Sequence, residues 1–209
     1  MRQQTLEERA WERLIAVMAQ KGWSLARGPA RHFDAAGPGG LVFQIYPQMD
    51  PVDGGVVMIP ALSVANAEVA SLLGIFKGLP DYSAALYGRG LTDVLRDHGL
   101  QVSPYKRWFI ADVGGIESVL ATFRSDVSEY GMPFFRLFGG LEDVIVQLQA
   151  KSRDKTANEI LMVACAVTGR QGEALSALAQ YEDAAARQPP LIAARSRAFA
   201  VAFREHFSW

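Results

Sequence analysis

The chain has 209 residues, of which 50% are hydrophobic and 21% charged, and its formal net charge is −1. This composition excludes a disordered chain, and the balanced charge gives no argument for nucleic-acid binding. The one cysteine, Cys165, excludes an internal disulfide framework and is expected to be a small buried residue. No apolar run approaches the roughly 20 residues of a membrane span. Because the N-terminal residues are charged and unlike a secretory signal, we expect a cytoplasmic protein without membrane contact.

Residues 6–20 are predicted to form an amphipathic helix. Thr5 and Glu8 have the spacing of a capping box, which starts helices, and apolar residues follow at intervals of three and four. Gly22 stands where a C-terminal cap is expected. The first predicted element is therefore a helix that buries one side.

Three β-rich segments follow, at residues 23–33, 41–47 and 56–64, with a Gly- and Pro-rich loop over 35–40 between the first two. The segment LVFQIYP alternates, which predicts Leu41, Phe43 and Ile45 on one face of a strand and Val42, Gln44 and Tyr46 on the other. Because proline cannot donate to a ladder, Pro60 predicts that the third segment is an edge strand or ends early.

Two helices are predicted after these strands. Asn66 has the character of an N-cap for a helix over residues 67–76. Thr92 is predicted to cap a short helix that runs to His98, with Gly99 closing it.

The stretch Tyr105–Gln149 is predicted to organise the fold. It consists of a short aromatic strand, a Gly-Gly turn and an amphipathic helix over residues 116–130. Gly131 is predicted to end this helix, and Pro133 to prevent its continuation. A second amphipathic helix is expected over residues 141–148.

Beyond Lys151 the composition shifts to alanine, and three helices are predicted over residues 156–169, 170–188 and 189–207. The first two resemble a single tetratricopeptide-like hairpin, although repeat arrays need about three such units for stability. The predicted buried side of the last helix comprises Leu191, Ile192, Phe199, Ala202 and Phe203.

These elements predict an α+β fold. We expect an N-terminal helix, a small and mostly antiparallel sheet covered by helices on one face, and a C-terminal helical segment. Residues 1–150 would form the α+β domain, and the alanine-rich residues 151–209 would pack on it as part of one structural unit.

No catalytic constellation is apparent in the sequence. The three histidines, His32, His98 and His206, have no partner at a metal-ligand spacing, and no serine lies in a Gly-x-Ser-x-Gly elbow. We therefore predict no metal, no cofactor and no catalytic residue.

One part of the sequence resembles a known group of domains. A Trp-bearing strand, an aspartate and an amphipathic helix lead into EYGMPFFRLFGGLED. This arrangement is similar to small α+β domains of uncharacterised bacterial proteins and of immunity proteins of polymorphic toxin systems. The matching residues are Trp108, Asp112, Tyr130, Gly131, Pro133, Phe134 and Phe135. The resemblance implies a non-enzymatic binding protein and assigns no functional residue.

The leading functional prediction is a protein-binding module, in the form of an immunity or inhibitor protein that neutralises a toxin. Residues 64–150 carry 7 basic and 10 acidic residues, so the middle of the chain is mildly acidic. The candidate partner-binding residues are Asp81, Asp93, Asp97, Asp112, Glu117, Asp126, Glu129, Phe134 and Phe135.

Two alternatives remain open at this point. An enzyme or small-ligand binder would have a pocket between sheet and helices in which His98, Arg107 and Asp112 converge. A structural homodimer would use the Phe134–Phe138 corner, in which Phe134, Phe135 and Phe138 would form an exposed aromatic patch.

Overall fold

A computed structural model of the chain describes residues 4–26, 31–79, 85–150 and 155–209. It has an antiparallel sheet together with helices, which confirms the predicted α+β class. The chain divides into two compact units. Unit 1 comprises Met1–Gly37, Val42–Val64 and Gly88–Phe138, and unit 2 comprises Pro38–Leu41, Ala65–Tyr87 and Gly139–Trp209. The expected boundary at residue 150 stays a prediction.

The strands are β1 (Ser24–Leu25), β2 (Phe33–Ala36), β3 (Leu41–Val52), β4 (Gly55–Asn66), β5 (Ala85–Gly90) and β6 (Phe109–Ile110). Their order in the sheet is β1-β2-β3-β4-β5, and β6 also pairs with β4. β1 with β2, β2 with β3, and β4 with β6 are antiparallel.

The helices are α1 (Leu6–Ala19), α2 (Ala67–Lys77), α3 (Leu91–Asp97), α4 (Pro104–Arg107), α5 (Ile116–Asp126), α6 (Met132–Phe135), α7 (Leu141–Ala150), α8 (Lys155–Val167), α9 (Gln171–Ala186) and α10 (Pro190–Phe207). In unit 2, α8 packs against α2, α7 and α9, and α10 packs against α2 and α9.

The structure confirms the predicted start of α1. The Thr5 hydroxyl accepts the Glu8 N–H at 3.2 Å, and the Glu8 carboxylate accepts the Thr5 N–H at 2.7 Å. Trp11 is buried on the side that faces the sheet, where its ring lies 6.1 Å from that of Phe33 on β2. The capping box therefore starts a helix that covers the inner face of the unit 1 sheet.

The effect predicted for Pro60 is wrong, because β4 continues through it for 12 residues and has neighbours at both edges. The Met58 N–H donates to the Trp108 carbonyl at 3.0 Å. Backbone groups two residues apart in a strand point to the same edge. The missing N–H of Pro60 therefore falls beyond the end of β6 and removes no bond from that ladder.

The predicted break at Gly131 is also wrong. Gly131 has helical angles (φ −69°, ψ −43°), and a π-helical turn over Val127–Gly131 connects α5 to α6. The Met132 N–H donates to the Val127 carbonyl, five residues back. In a regular α-helix the ring of Pro133 would clash with the carbonyl four residues back, and the wider turn relieves that clash. The chain thus stays helical across a proline.

The N-terminus of α3 differs from its prediction. Gly90 is the N-cap and the helix begins at Leu91, so Thr92 lies inside the helix and does not cap it. Gly99 follows the helix with a φ of +80°, as a closing glycine should. The predicted element is present and starts earlier than expected.

The buried stripe of α10 is confirmed only in its C-terminal part. Phe199 and Phe203 are 3% and 0% exposed, whereas Leu191 and Ile192 are 67% and 39% exposed. Leu191 precedes the buried Ala193 by two positions, which is roughly 200° around a helix and places it off the stripe. Ile192 lies in the first turn of α10.

Candidate functional site

The outer face of the unit 1 sheet carries a set of polar side chains on neighbouring strands. The antiparallel register pairs Asp34 of β2 with Gln44 of β3. Because side chains two residues apart point to the same face, His32 and Tyr46 lie on that face as well. Ser63 of β4 reaches the same side chains. We call His32, Asp34, Gln44, Tyr46 and Ser63 the outer-face cluster.

The Gln44 side chain is the centre of the cluster. Its Nε2 donates to Asp34 Oδ1 at 3.1 Å and lies 3.2 Å from His32 Nε2. Its Oε1 accepts the hydroxyl groups of Tyr46 at 3.2 Å and Ser63 at 3.1 Å. Gln44 and Ser63 are each 4% exposed, so a buried amide satisfies its hydrogen-bonding groups within one layer of side chains.

His32 contacts three other members of the cluster. Its Nε2 lies 3.2 Å from Gln44 Nε2 and 3.2 Å from Asp34 Oδ1. The His32 ring stacks on that of Tyr46, with centroids 4.5 Å apart and planes at 19°. Burial raises the pKa of Tyr46, the Asp34 charge raises it further, and hydrogen bonding with Ser63 lowers it.

The cluster does not have the geometry of a catalytic triad. The Ser63 hydroxyl donates to Gln44, and the His32 nitrogen that approaches Asp34 Oδ1, at 3.2 Å, is the same one that faces Gln44. In a serine relay the two histidine nitrogens contact the serine and the carboxylate separately. The arrangement is therefore a set of mutually bonded polar side chains without an activated serine, in which His32, Gln44 and Ser63 are buried and Asp34 and Tyr46 are partly exposed.

The outer face is acidic. Residues 32–66 contain Asp34, Asp50 and Asp53 but no lysine or arginine. Gln48 is exposed and donates to Asp50 at 2.9 and 3.1 Å, on the same side of β3 as Gln44. Two carboxylates thus lie on this face with no basic side chain on strands β2 to β4.

The acidic residues predicted to contact a partner differ in burial. Asp126 is buried, Asp81 lies outside the described residues, and the others are exposed, namely Asp93, Asp97, Asp112, Glu117 and Glu129. Among the exposed residues, Asp93 pairs with Arg96 at 3.0 Å, Asp97 with Arg89, and Glu117 with Arg13 at 3.7 Å. Three of the exposed acids are therefore each balanced by a nearby arginine.

The buried Asp126 carboxylate is the acceptor in an ion pair with the partly exposed Arg107. Arg107 donates to its carboxylate from Nε at 2.7 Å and from Nη2 at 2.5 Å, and Trp108 Nε1 donates at 2.9 Å. The hydrogen bond to Asp126 is the main cause that raises the pKa of Arg107. The group ties the start of β6 to the end of α5.

The residues proposed to converge in a pocket have different neighbours. Arg107 binds Asp126, Asp112 accepts the Gly115 N–H at 3.0 Å, and the His98 ring lies 5.2 Å from that of Tyr130. Each interaction has a local structural purpose, such as the capping of the turn that precedes α5.

The aromatic rings of the predicted interaction corner are buried. Phe134, Phe135 and Phe138 are 6%, 0% and 1% exposed. Phe135 stacks on Phe43 of β3 at 4.7 Å and lies 5.7 Å from Trp23. These rings form part of the unit 1 core and make no exposed aromatic patch.

Sequence reasoning missed the outer-face cluster. The alternation along β3 predicted that Gln44 and Tyr46 share one face, and His32 was predicted to lie on a separate strand. No local pattern, however, gives the register between β2 and β3. The missing signal was the opposition of Asp34 and Gln44, which brings two polar residues together across strands.

Within the described residues, no group of three or more His, Cys, Asp or Glu side chains is arranged to hold a metal ion. None of the described helices combines the length and apolar character needed to cross a membrane. Comparison of the chain with protein-family models, curated proteins and solved structures finds no match. The resemblances to immunity proteins and to a tetratricopeptide-like hairpin stay predictions.

Proposed function

We propose that this chain is a non-enzymatic protein-binding module that presents the outer face of its unit 1 sheet to a basic surface of another protein. The outer-face cluster is the observation that supports this proposal. Its side chains come from neighbouring strands and are held in one arrangement by their mutual hydrogen bonds. A surface that is ordered before binding loses little conformational entropy when a partner docks.

The bonding pattern favours recognition over catalysis. A general base needs a free position that faces the reacting group, and a nucleophile needs a base within hydrogen-bond reach. In the cluster, the Ser63 hydroxyl donates to Gln44, and His32 Nε2 lies 3.2 Å from the Gln44 amide nitrogen. Tyr46 and Asp34 are only partly buried and remain available at the surface.

The charge on this face indicates the kind of partner. Asp34 and Asp50 lie on strands without any lysine or arginine, so a partner with basic residues at its interface is electrostatically complementary. Two copies of this chain that met through this face would bring carboxylates together, which disfavours self-association there. An immunity or inhibitor protein is the specific form of this proposal in which the partner is a toxin.

The test uses purified products of the genes that neighbour the gene for this chain. Binding would be measured by titration calorimetry at low and high salt, and we expect a complex that weakens as salt rises because exposed charges are screened. Light scattering on the same samples reports whether the chain associates with itself. If none of these products binds, the proposal is contradicted.

Two charge reversals locate the interface. Asp50→Lys changes the outer face, whereas Glu117→Lys makes the same change in net charge at an exposed position on α5. We expect Asp50→Lys to weaken the complex about tenfold or more and Glu117→Lys to have a small effect. If Glu117→Lys weakens the complex more than Asp50→Lys does, the result supports the acidic residues predicted from sequence as the interface. If the two variants weaken the complex equally, the attraction between the proteins is non-specific.

A further inference from the structure

Unit 2 contains a cleft of about 620 Å³ formed by α2, α8, α9 and α10. This volume lies in the usual range of small-molecule sites, roughly 300–1,000 Å³. Aromatic side chains form one part of its lining, namely Phe76, Tyr181 and Phe199, and charged side chains form another, namely Lys77, Glu159 and Arg195. A mostly apolar wall with a few polar groups is typical of sites for small organic molecules.

The charged residues are held by hydrogen bonds across several helices. Lys77 Nζ of α2 lies 2.8 Å from Glu159 Oε2 of α8, and the Tyr181 hydroxyl of α9 donates to Glu159 Oε1 at 2.7 Å. The Glu159 side chain is only 6% exposed. Both carboxylate oxygens are therefore occupied, and the ammonium group of Lys77 is fixed at the cleft wall.

The balance of charge in the cleft is positive. Lys77 and Arg195 contribute two cations, and Glu159 contributes one carboxylate. Other arginines of unit 2 pair with acids, for example Arg187 with Asp183 and Arg204 with Glu182. Arg195 is exposed at the cleft, and within the described part of the chain it has no such ion pair. An anion in the cleft would therefore pair with Arg195 without displacing a carboxylate.

We infer that the unit 2 cleft binds a small organic anion with an aromatic body. The carboxylate of such a ligand would pair with Arg195 and Lys77, and its ring would contact Phe76 and Phe199. These two rings already meet edge to face, with centroids 5.6 Å apart and planes at 83°, and aromatic ligands pack well in such corners. This site is independent of the proposed outer-face interface, because all its residues belong to unit 2.

The probe is 3-phenylpropanoate, and 3-phenylpropan-1-ol serves as its uncharged analogue. Titration into the ¹⁵N-labelled full chain would be followed by NMR, and we expect shift changes in α2 and α8 to α10. The acid should bind at least about tenfold more tightly than the alcohol if the cations select the ligand. Equal binding of acid and alcohol, or no saturable shift at millimolar acid, overturns the inference.

Paired variants on α10 separate the cleft from the general surface. Arg195→Gln should weaken binding of the acid about tenfold, whereas Arg197→Gln, which also removes an exposed charge from α10, should not. Ala198→Trp fills the cleft and should abolish binding, whereas the exposed Ala194→Trp should not. Circular dichroism would confirm that each variant is folded. If the members of either pair behave alike in folded proteins, the ligand does not bind in this cleft.

Discussion

Gln44 in unit 1 and Glu159 in unit 2 are both polar side chains in the interior, at 4% and 5% exposure, and they are satisfied in different ways. Gln44 is a neutral amide that hydrogen-bonds side chains on its own and neighbouring strands. Glu159 is a carboxylate that binds a cation from α2 and a hydroxyl from α9. The first group is held together by strand register, and the second by the packing of helices.

The difference determines what the loss of one partner does. A neutral network that loses a member leaves unpaired dipoles, which typically cost about 1–3 kcal/mol. A buried carboxylate that loses its cation leaves an uncompensated charge, which costs about 3–5 kcal/mol. We therefore expect unit 2 to be the more sensitive to substitution of a single buried polar residue.

The largest expected effect is that of Lys77→Met. The substitution keeps the length of the side chain but removes the cation beside Glu159, so the free energy of unfolding should fall by about 3 kcal/mol. Urea denaturation at neutral pH measures the change. In the double variant Lys77→Met with Glu159→Gln, most of the loss should be recovered, since no buried charge is left. If the double variant is as unstable as the single one, packing and not charge explains the effect.

Gln44→Leu should have the next largest effect. The substitution removes the amide that bonds Asp34, Tyr46 and Ser63, and the loss in unfolding free energy should be about 2 kcal/mol. Gln48→Leu is the matched control on the same strand face, because Gln48 is exposed and, among the described residues, its side chain bonds Asp50. A loss larger than that of Lys77→Met would reverse the comparison between the two units.

Local signals account for what the sequence could predict. The capping box of Thr5 and Glu8, the Asn66 cap and the apolar spacing of α5 depend on residues close in the chain, and the structure shows each of them. The α+β class follows from those elements. Pro60 misled because its effect depends on which neighbouring strand lies beside it.

The polar groups could not be predicted, because their partners are distant in sequence. Gln44 meets Ser63 across 19 positions, and Arg107 meets Asp126 across the same separation. Lys77 and Glu159 lie farther apart still, on different helices of unit 2. Such pairs follow from register and packing, which single-residue patterns do not encode. Asp126 was accordingly predicted as a surface acid, whereas it is buried.

Two tyrosines, the partly buried Tyr46 and the buried Tyr181, extend the comparison to high pH. Burial is the first cause that raises the pKa of both Tyr46 and Tyr181. The unfolded chain ionises its tyrosines near pH 10, whereas the folded chain keeps these two protonated at higher pH. Their contribution to stability is therefore complete below about pH 10 and is lost as the pH rises above that value.

Tyr181→Phe tests this pH dependence. At neutral pH the variant loses the hydrogen bond to Glu159, so unfolding should become easier by about 1 kcal/mol. The difference between wild type and variant should shrink as the pH rises through about 10, because the wild type loses the contribution of Tyr181 there. Urea denaturation at several pH values measures both. A difference that is constant with pH would show that Tyr181 titrates alike in the folded and unfolded chain.

The smallest effect is expected for an ion pair of unit 2 that resembles Lys77–Glu159 in distance but not in burial. Arg187 lies 2.6 Å from Asp183, and their side chains are 74% and 66% exposed. Water screens such a pair, so Arg187→Gln should change the unfolding free energy by less than about 0.5 kcal/mol. The same urea experiment compares it with Lys77→Met. A loss of similar size in the two variants would mean that burial does not set the strength of ion pairs in unit 2, and the contrast between Gln44 and Glu159 would then need another physical cause.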